Sequence, residues 1–170
     1  MLSERMQSAI NAQINAEWYS EYLYYSMSAY FDSSGLPGMA NWMNCQAQEE
    51  HFHAMKLFDY VNERGGRVTL TAIEGPQTEW ESPLAVFEGA YAHERKVTGL
   101  INGLMDIALE EKDHGTAQML QWFVEEQVEE EASADGVVNQ LKWIGDSGQG
   151  MLMLDKELAT RAFTPPAKGE

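Results

Sequence analysis

An all-α fold is what this sequence predicts: a four-helix bundle with one long crossover between helices two and three, plus a short C-terminal fifth helix. Three observations predict it. Apolar residues recur at steps of three and four along four long segments, the period of one helical face. Two of the three connections between those segments are short and the middle one is long. Polar residues also interrupt the stripes at matched places: Glu17, Glu50 and His53 recur as Glu94, Gln127 and Glu130, each 77 positions later.

Each element follows from local signals. Ser3 is an N-cap for a first stripe of Met6, Ile10, Gln13, Glu17, Ser20, Tyr24, Met27 and Phe31. Gly35-Leu36-Pro37-Gly38 breaks that helix, and Pro37 opens the next. The second stripe, Met39, Met43, Gln46, Glu50, His53, Leu57 and Tyr60, runs to Gly65-Gly66. Ser82-Pro83 reads as N-cap and first turn of the third helix, with Leu84, Phe87, Tyr91, Glu94, Val97, Ile101, Leu104 and Ala108. A turn near Lys112–Gly115 leads to Leu120, Phe123, Gln127, Glu130, Ala134, Val137 and Leu141. Glycines at 145, 148 and 150 set off a last helix over roughly 150–160. The segment 65–82 contains the extended-looking Arg67–Thr71. At about 3.3 Å per residue it can run the length of a helix of about 42 Å, which makes helices two and three parallel. Residues 1–162 form one domain, and 163–170 are expected to be a flexible tail.

Composition narrows the partners. With 27 acidic and 11 basic side chains the formal charge is −16 over 170 residues, which argues against nucleic acid and for cations. Cys45 is the only cysteine, so neither an intrachain disulfide nor a cysteine-based metal site is expected. The start has no apolar leader and no stretch approaches a membrane span, so a cytoplasmic protein without a membrane partner is expected.

The polar residues on the stripes carry the chemistry. Burying Glu17, Glu50, Glu94 and Glu130 in one core would be prohibitive unless cations neutralised them, and no Lys or Arg lies on the four stripes. Two divalent ions would balance the four carboxylates. Glu50 and His53, one turn apart, face the same way. Oxygen-rich ligands with one imidazole suit iron or manganese better than structural zinc. Gln127 is a poor ligand and is expected beside the second metal. Glu49, Glu126 and Glu129 flank the set; on spacing they are either a solvated acidic run or a third metal position sharing Glu130. Tyr24, two turns beyond Glu17, and Trp122 read first as core. His51, His93 and His114 lie off the stripes and are expected to be exposed or at subunit contacts.

Over roughly residues 1–160 the chain resembles the bacterial non-haem ferritins. The likeness lies in Asn15–Tyr19 with Tyr24, Ala47–His53, His93-Glu94, Leu120–Phe123 with Glu126-Gln127 and Glu129-Glu130, and Leu154–Leu158. The resemblance implies a di-iron ferroxidase centre with Glu17, Glu50, His53, Glu94 and Glu130 as iron ligands and Gln127 near the second iron. It implies a third iron site at Glu49, Glu126, Glu129 and Glu130, and a redox role for Tyr24. It further implies Fe(II) and dioxygen or peroxide as substrates, ferric mineral storage, and a homo-oligomeric shell of 24 subunits with the fifth helix at its four-fold axes. No haem is expected, because His51 stands where a bacterioferritin carries its haem-binding methionine. A single cysteine also excludes a rubredoxin-bearing peroxidase. The competing functional class is a di-iron enzyme activating oxygen against an organic substrate, without mineral storage.

Overall fold

The computed structural model describes residues 1–165, so residues 166–170 of the expected tail lie outside the described residues. Five helices are present: α1 (Glu4–Ser33), α2 (Pro37–Glu63), α3 (Pro83–Glu110), α4 (His114–Ile144) and α5 (Gly148–Leu158). The predicted caps are in place. The Ser3 and Ser82 side chains accept from the N–H groups of Met6 and Ala85, and Pro37 and Pro83 occupy first turns, where a missing N–H costs nothing. Gly65, at φ +69°, ends α2, and the N–H of Gly66 returns to the Val61 carbonyl.

Helix directions follow from which ends share a core. One apolar cluster gathers the C-terminal half of α1, the N-terminal ends of α2 and α3, and the C-terminal half of α4. A second gathers the opposite ends, from Met6, Ile10 and Ile14 to Leu57, Val97, Leu120 and Phe123. Thus α1 and α2 are antiparallel, as are α3 and α4, while α2 and α3 run parallel. The predicted polar positions fall between the two clusters, at mid-bundle.

The crossover that permits this runs beside α1 from end to end. Arg67 N–H donates to Gln7 Oε1 (3.0 Å), Asn11 brackets Arg67 and Thr69, and Asn15 Nδ2 reaches the Thr71 hydroxyl (2.9 Å) and the Ala72 carbonyl. Ser26 then donates to the Gln77 carbonyl, and Trp80 meets Tyr30 edge-on at 5.5 Å. Side-chain amides on α1 therefore satisfy the backbone of a segment that forms no strand. Arg67–Thr71 is extended along a helix instead of paired in a sheet.

The last helix departs from expectation: α5 starts at Gly148, because Ser147 caps it by accepting from the N–H of Gly150. Gly148 and Gly150, expected to separate the helix from what precedes it, therefore lie inside it. α5 packs against the start of α2 at unusually short range. The Asp155 side chain accepts from Met39 N–H (2.9 Å), and a Cβ on Gly38 would lie 1.6 Å from the Asp155 carbonyl oxygen. Gly38→Ala is expected to push α5 off α2 and cost about 1–3 kcal/mol, the range for overpacking. Urea unfolding together with accelerated hydrogen exchange in α5 checks this; unchanged exchange there would contradict it.

Candidate metal centre

Four helices each deliver polar side chains to the mid-bundle layer. Glu17 comes from α1, Glu50 and His53 from α2, Glu94 from α3, and Gln127 and Glu130 from α4. All six are at most 4% exposed, so none of them is surface decoration. The i, i+3 spacing on α2 and α4 stacks each pair on one face.

The geometry forms two overlapping groups. Glu17, Glu50 and His53 each offer a ligand atom, all within 4.8 Å of one another, and so do His53, Glu126 and Glu130. Oε2 of Glu17 and Oε2 of Glu50 are buried with no hydrogen-bond partner. Folding rarely leaves such oxygens bare, since each costs about 1–3 kcal/mol when unsatisfied. The other Glu17 oxygen accepts from Gln13 Nε2 at 2.8 Å. Glu130 accepts from Gln46, and Glu94 from the Tyr24 hydroxyl and, at 3.3 Å, from Gln127 Nε2. The Gln127 amide also donates to the Thr98 hydroxyl at 3.3 Å, so its nitrogen ties Glu94 to Thr98.

Burial is the main influence on the titration of Glu50, Glu94, Glu130 and Tyr24. It lifts Glu50 well above the usual carboxylate range, with Glu94 and Glu17 adding repulsion. It pushes Glu94 up to about 7 and Glu130 up to about 8, and it raises the Tyr24 phenol well above its ordinary value. Metal-free, Glu50, Glu94 and Glu130 relieve their mutual charge by holding protons more tightly than ordinary carboxylates. Divalent cations would displace those protons and give the bare oxygens partners, so the donor set fits metal. Oxygen donors with one imidazole fit iron or manganese.

The remaining predicted residues separate. Glu126 joins His53 and Glu130, as above. Glu49 is instead ion-paired with Arg161 at 2.6 Å, and Glu129 is exposed. Trp122 meets His53 edge-on at 5.5 Å and Phe123 lies 5.9 Å from it, closing that side of the imidazole. His51 is exposed beside Glu21 and His114 is exposed, as expected for both. His93 differs: it turns inward, shares a 2.7 Å hydrogen bond with Ser20, and packs on Tyr19 and Tyr24. Gln13 and Gln46 are polar interruptions of the stripes one turn before Glu17 and Glu50. No sequence signal marks them as holders of carboxylates, because neither recurs 77 positions on. Arg161 has no sequence signal at all.

Most of the chain is similar to known proteins. A ferritin-like domain model matches residues 7–144. A bacterial non-heme ferritin of Bacteroides fragilis (strain 638R) is 47% identical, covering 95% of this chain and all of its own. One from Staphylococcus saprophyticus is 41% identical, covering 96% and 98%. Among solved structures, a site-directed closed form of the Archaeoglobus fulgidus ferritin superposes with TM-score 0.95 at 57% identity, over 96% of this chain and 100% of that one. The open-pore ferritin from the same archaeon gives 0.94 at 57% identity, over 95% and 100%.

Proposed function

The chain belongs to the ferritin family, and from that premise we propose that it takes up Fe(II), oxidises it to Fe(III) and stores the product as a ferric mineral. The observation that carries this reading is the pair of buried, unpartnered carboxylate oxygens on Glu17 and Glu50 beside His53. Iron is substrate and cargo here. Glu17, Glu50 and His53 hold one ion; Glu94 and Glu130 bind toward the second, with Gln127 fixing Glu94. The two positions are unequal because only one side has an imidazole of its own, so the second ion is held more loosely. Two Fe(II) give up one electron each; dioxygen takes the pair with two protons to become hydrogen peroxide, or hydrogen peroxide takes it with two protons to become two waters. Carboxylates favour the higher charge of the product, which tilts the reaction forward. Protons leaving Glu50, Glu94 and Glu130 are released as the ions arrive. Tyr24, whose hydroxyl donates to Glu94, would supply a further electron to the oxidant.

Glu126, with Glu49 and Glu129 nearby, would serve a third ion on its way to storage. The one-domain reading of residues 1–162 accommodates all of these groups. Trp143, Leu152 and Met153 stand exposed where α4 meets α5, an apolar surface that assembly into a 24-subunit shell would cover. The lone cysteine fits a cytoplasmic protein; no helix among the described residues is long and apolar enough to cross a membrane. A di-iron enzyme with an organic substrate would need room beside the metals, whereas Tyr24, Phe87 and Phe123 fill the core at no more than 1% exposure.

Anaerobic titration with Fe(II) is expected to show two tight equivalents per subunit, and a following oxygen pulse should bring up ferric absorbance within seconds to minutes. Further aerobic loading should then build particles that sediment with the protein. Absence of tight Fe(II) binding, or oxidation without any retained mineral, would overturn this function.

A further inference from the structure

The residues after α5 lie along a face of α2 adjoining the one that carries the metal ligands. Gly38, Asn41, Trp42, Cys45 and Glu49 follow one another at helical spacing; Gly38 meets Asp155 of α5, and the other four touch the residues after it. Asn41 Nδ2 donates to the carbonyls of Leu158 (3.2 Å), Ala159 (3.4 Å) and Arg161 (2.9 Å), which pins the backbone after the helix. From there the Arg161 side chain turns back along α2. Its guanidinium lies over the Trp42 ring, 4.5 Å from the centroid, Nη1 donates to the Trp42 carbonyl at 3.4 Å, and Nη2 donates to Glu49 Oε2 at 2.6 Å. Glu49 and Arg161 are each only about one-fifth exposed, so solvent screens the pair incompletely.

Glu49 is next in sequence to Glu50 and close enough to Glu126 for the two carboxylates to repel. A cation that recruits Glu126 would gain a further carboxylate from Glu49, yet a cation already holds it. Resting on the third-ion reading above, we propose that Arg161 is a built-in competitor for that position, and a third metal ion obtains Glu49 only by displacing this guanidinium. The displaced arginine would surrender its contacts with Glu49 and Trp42, leaving Asn41 alone to hold the backbone of residues 158–161, which loosens it. Loading of the third position and the order of the C-terminal segment are therefore opposed, and each weakens the other by the same factor.

The test is Zn(II) calorimetry on the intact assembled protein, because Zn(II) cannot be oxidised. In Arg161→Ala and Arg161→Gln the third binding step is expected to tighten about 10- to 100-fold, the worth of one charge-assisted hydrogen bond. The first two steps should stay unchanged. Arg5→Ala, which makes the same charge change at a distant exposed ion pair with Glu110, should leave all three steps alone. In the unmodified protein, the third equivalent of Zn(II) should speed hydrogen exchange at the amides of residues 159–161. A third step that is missing, or equal in affinity with and without Arg161, overturns the proposal, as does exchange that ignores the third equivalent. Failure of the first two steps in the unmodified protein would instead overturn the di-iron reading. Should Arg161→Ala not fold, Arg161→Gln and the exchange measurement on the unmodified chain decide.

Discussion

Glu50→Gln is expected to abolish tight metal binding while leaving the metal-free protein folded and easier to keep folded at alkaline pH. The substitution removes one charge and one anionic oxygen from the centre of the cluster and barely changes volume. Groups that merely orient a ligand cost about 10- to 100-fold in affinity when lost, so removal of a ligand itself should exceed about 100-fold. Aerobic Fe(II) oxidation should fall with it. Stability should move the other way, for two reasons. Burial and the repulsion of Glu94 and Glu17 disfavour the charged form of Glu50, so its charge is a liability without metal. The introduced amide also finds a waiting acceptor, the unpartnered Oε2 of Glu17. The comparison is calorimetric: Zn(II) affinity and the metal-free melting temperature at pH 8, both against the unmodified chain. Two tight equivalents surviving in Glu50→Gln would remove this residue from the centre.

The second large effect is a reversal of pH dependence when metal is added. Glu94 and Glu130 have folded-state values of about 7 and about 8, against 4.5 for an ordinary glutamate, chiefly because they are buried. Groups raised in this way bind more protons folded than unfolded. Their contribution is therefore whole below about pH 4.5 and is lost as pH climbs through 7 and 8. A tenfold change in proton affinity corresponds to about 1.4 kcal/mol, so the two together make several kcal/mol of difference across that window. Asp113 has the opposite sign but acts elsewhere. Held at about 2 against the upward pull of its burial, by Thr116 and Arg64, it matters only below about pH 4. Metal-free protein should thus melt progressively lower from pH 5 to pH 8. Zn(II) competes with those protons, so its stabilising effect should grow over the same interval. Differential scanning calorimetry after chelation, with and without Zn(II), reads both slopes. A metal-free melting temperature that rises between pH 5 and pH 8 would show that these carboxylates are not buried together.

Both effects rest on residues that the amino-acid sequence alone singles out. Stripes of period 3.6 define the four long helices, and two serine caps with two prolines mark where three of them begin. The 77-position recurrence picks out Glu17, Glu50, His53, Glu94, Gln127 and Glu130, which the fold buries in one layer. What the sequence hides is long-range and side-chain specific. No local pattern announces that Gln13 and Gln46 hold carboxylates, or that Arg161 comes back 112 positions to meet Glu49. His93 lies beside a ligand position on α3, and only the approach of Ser20 and Tyr19 from α1 explains why it turns inward. The start of α5 is obscured because glycine is ordinarily a helix breaker, and the Ser147 cap outweighs that tendency.

The edge-on contact between Trp122 and His53 has a practical meaning. An indole 5.5 Å from an imidazole responds to whatever draws electron density out of that ring. On the metal-centre reading proposed above, Trp122 would thus serve as an optical gauge of occupancy on the His53 side. Filling and emptying would then change ultraviolet emission, without a coloured chelator that would itself strip the ions being counted, and emission that ignores added Zn(II) would contradict this.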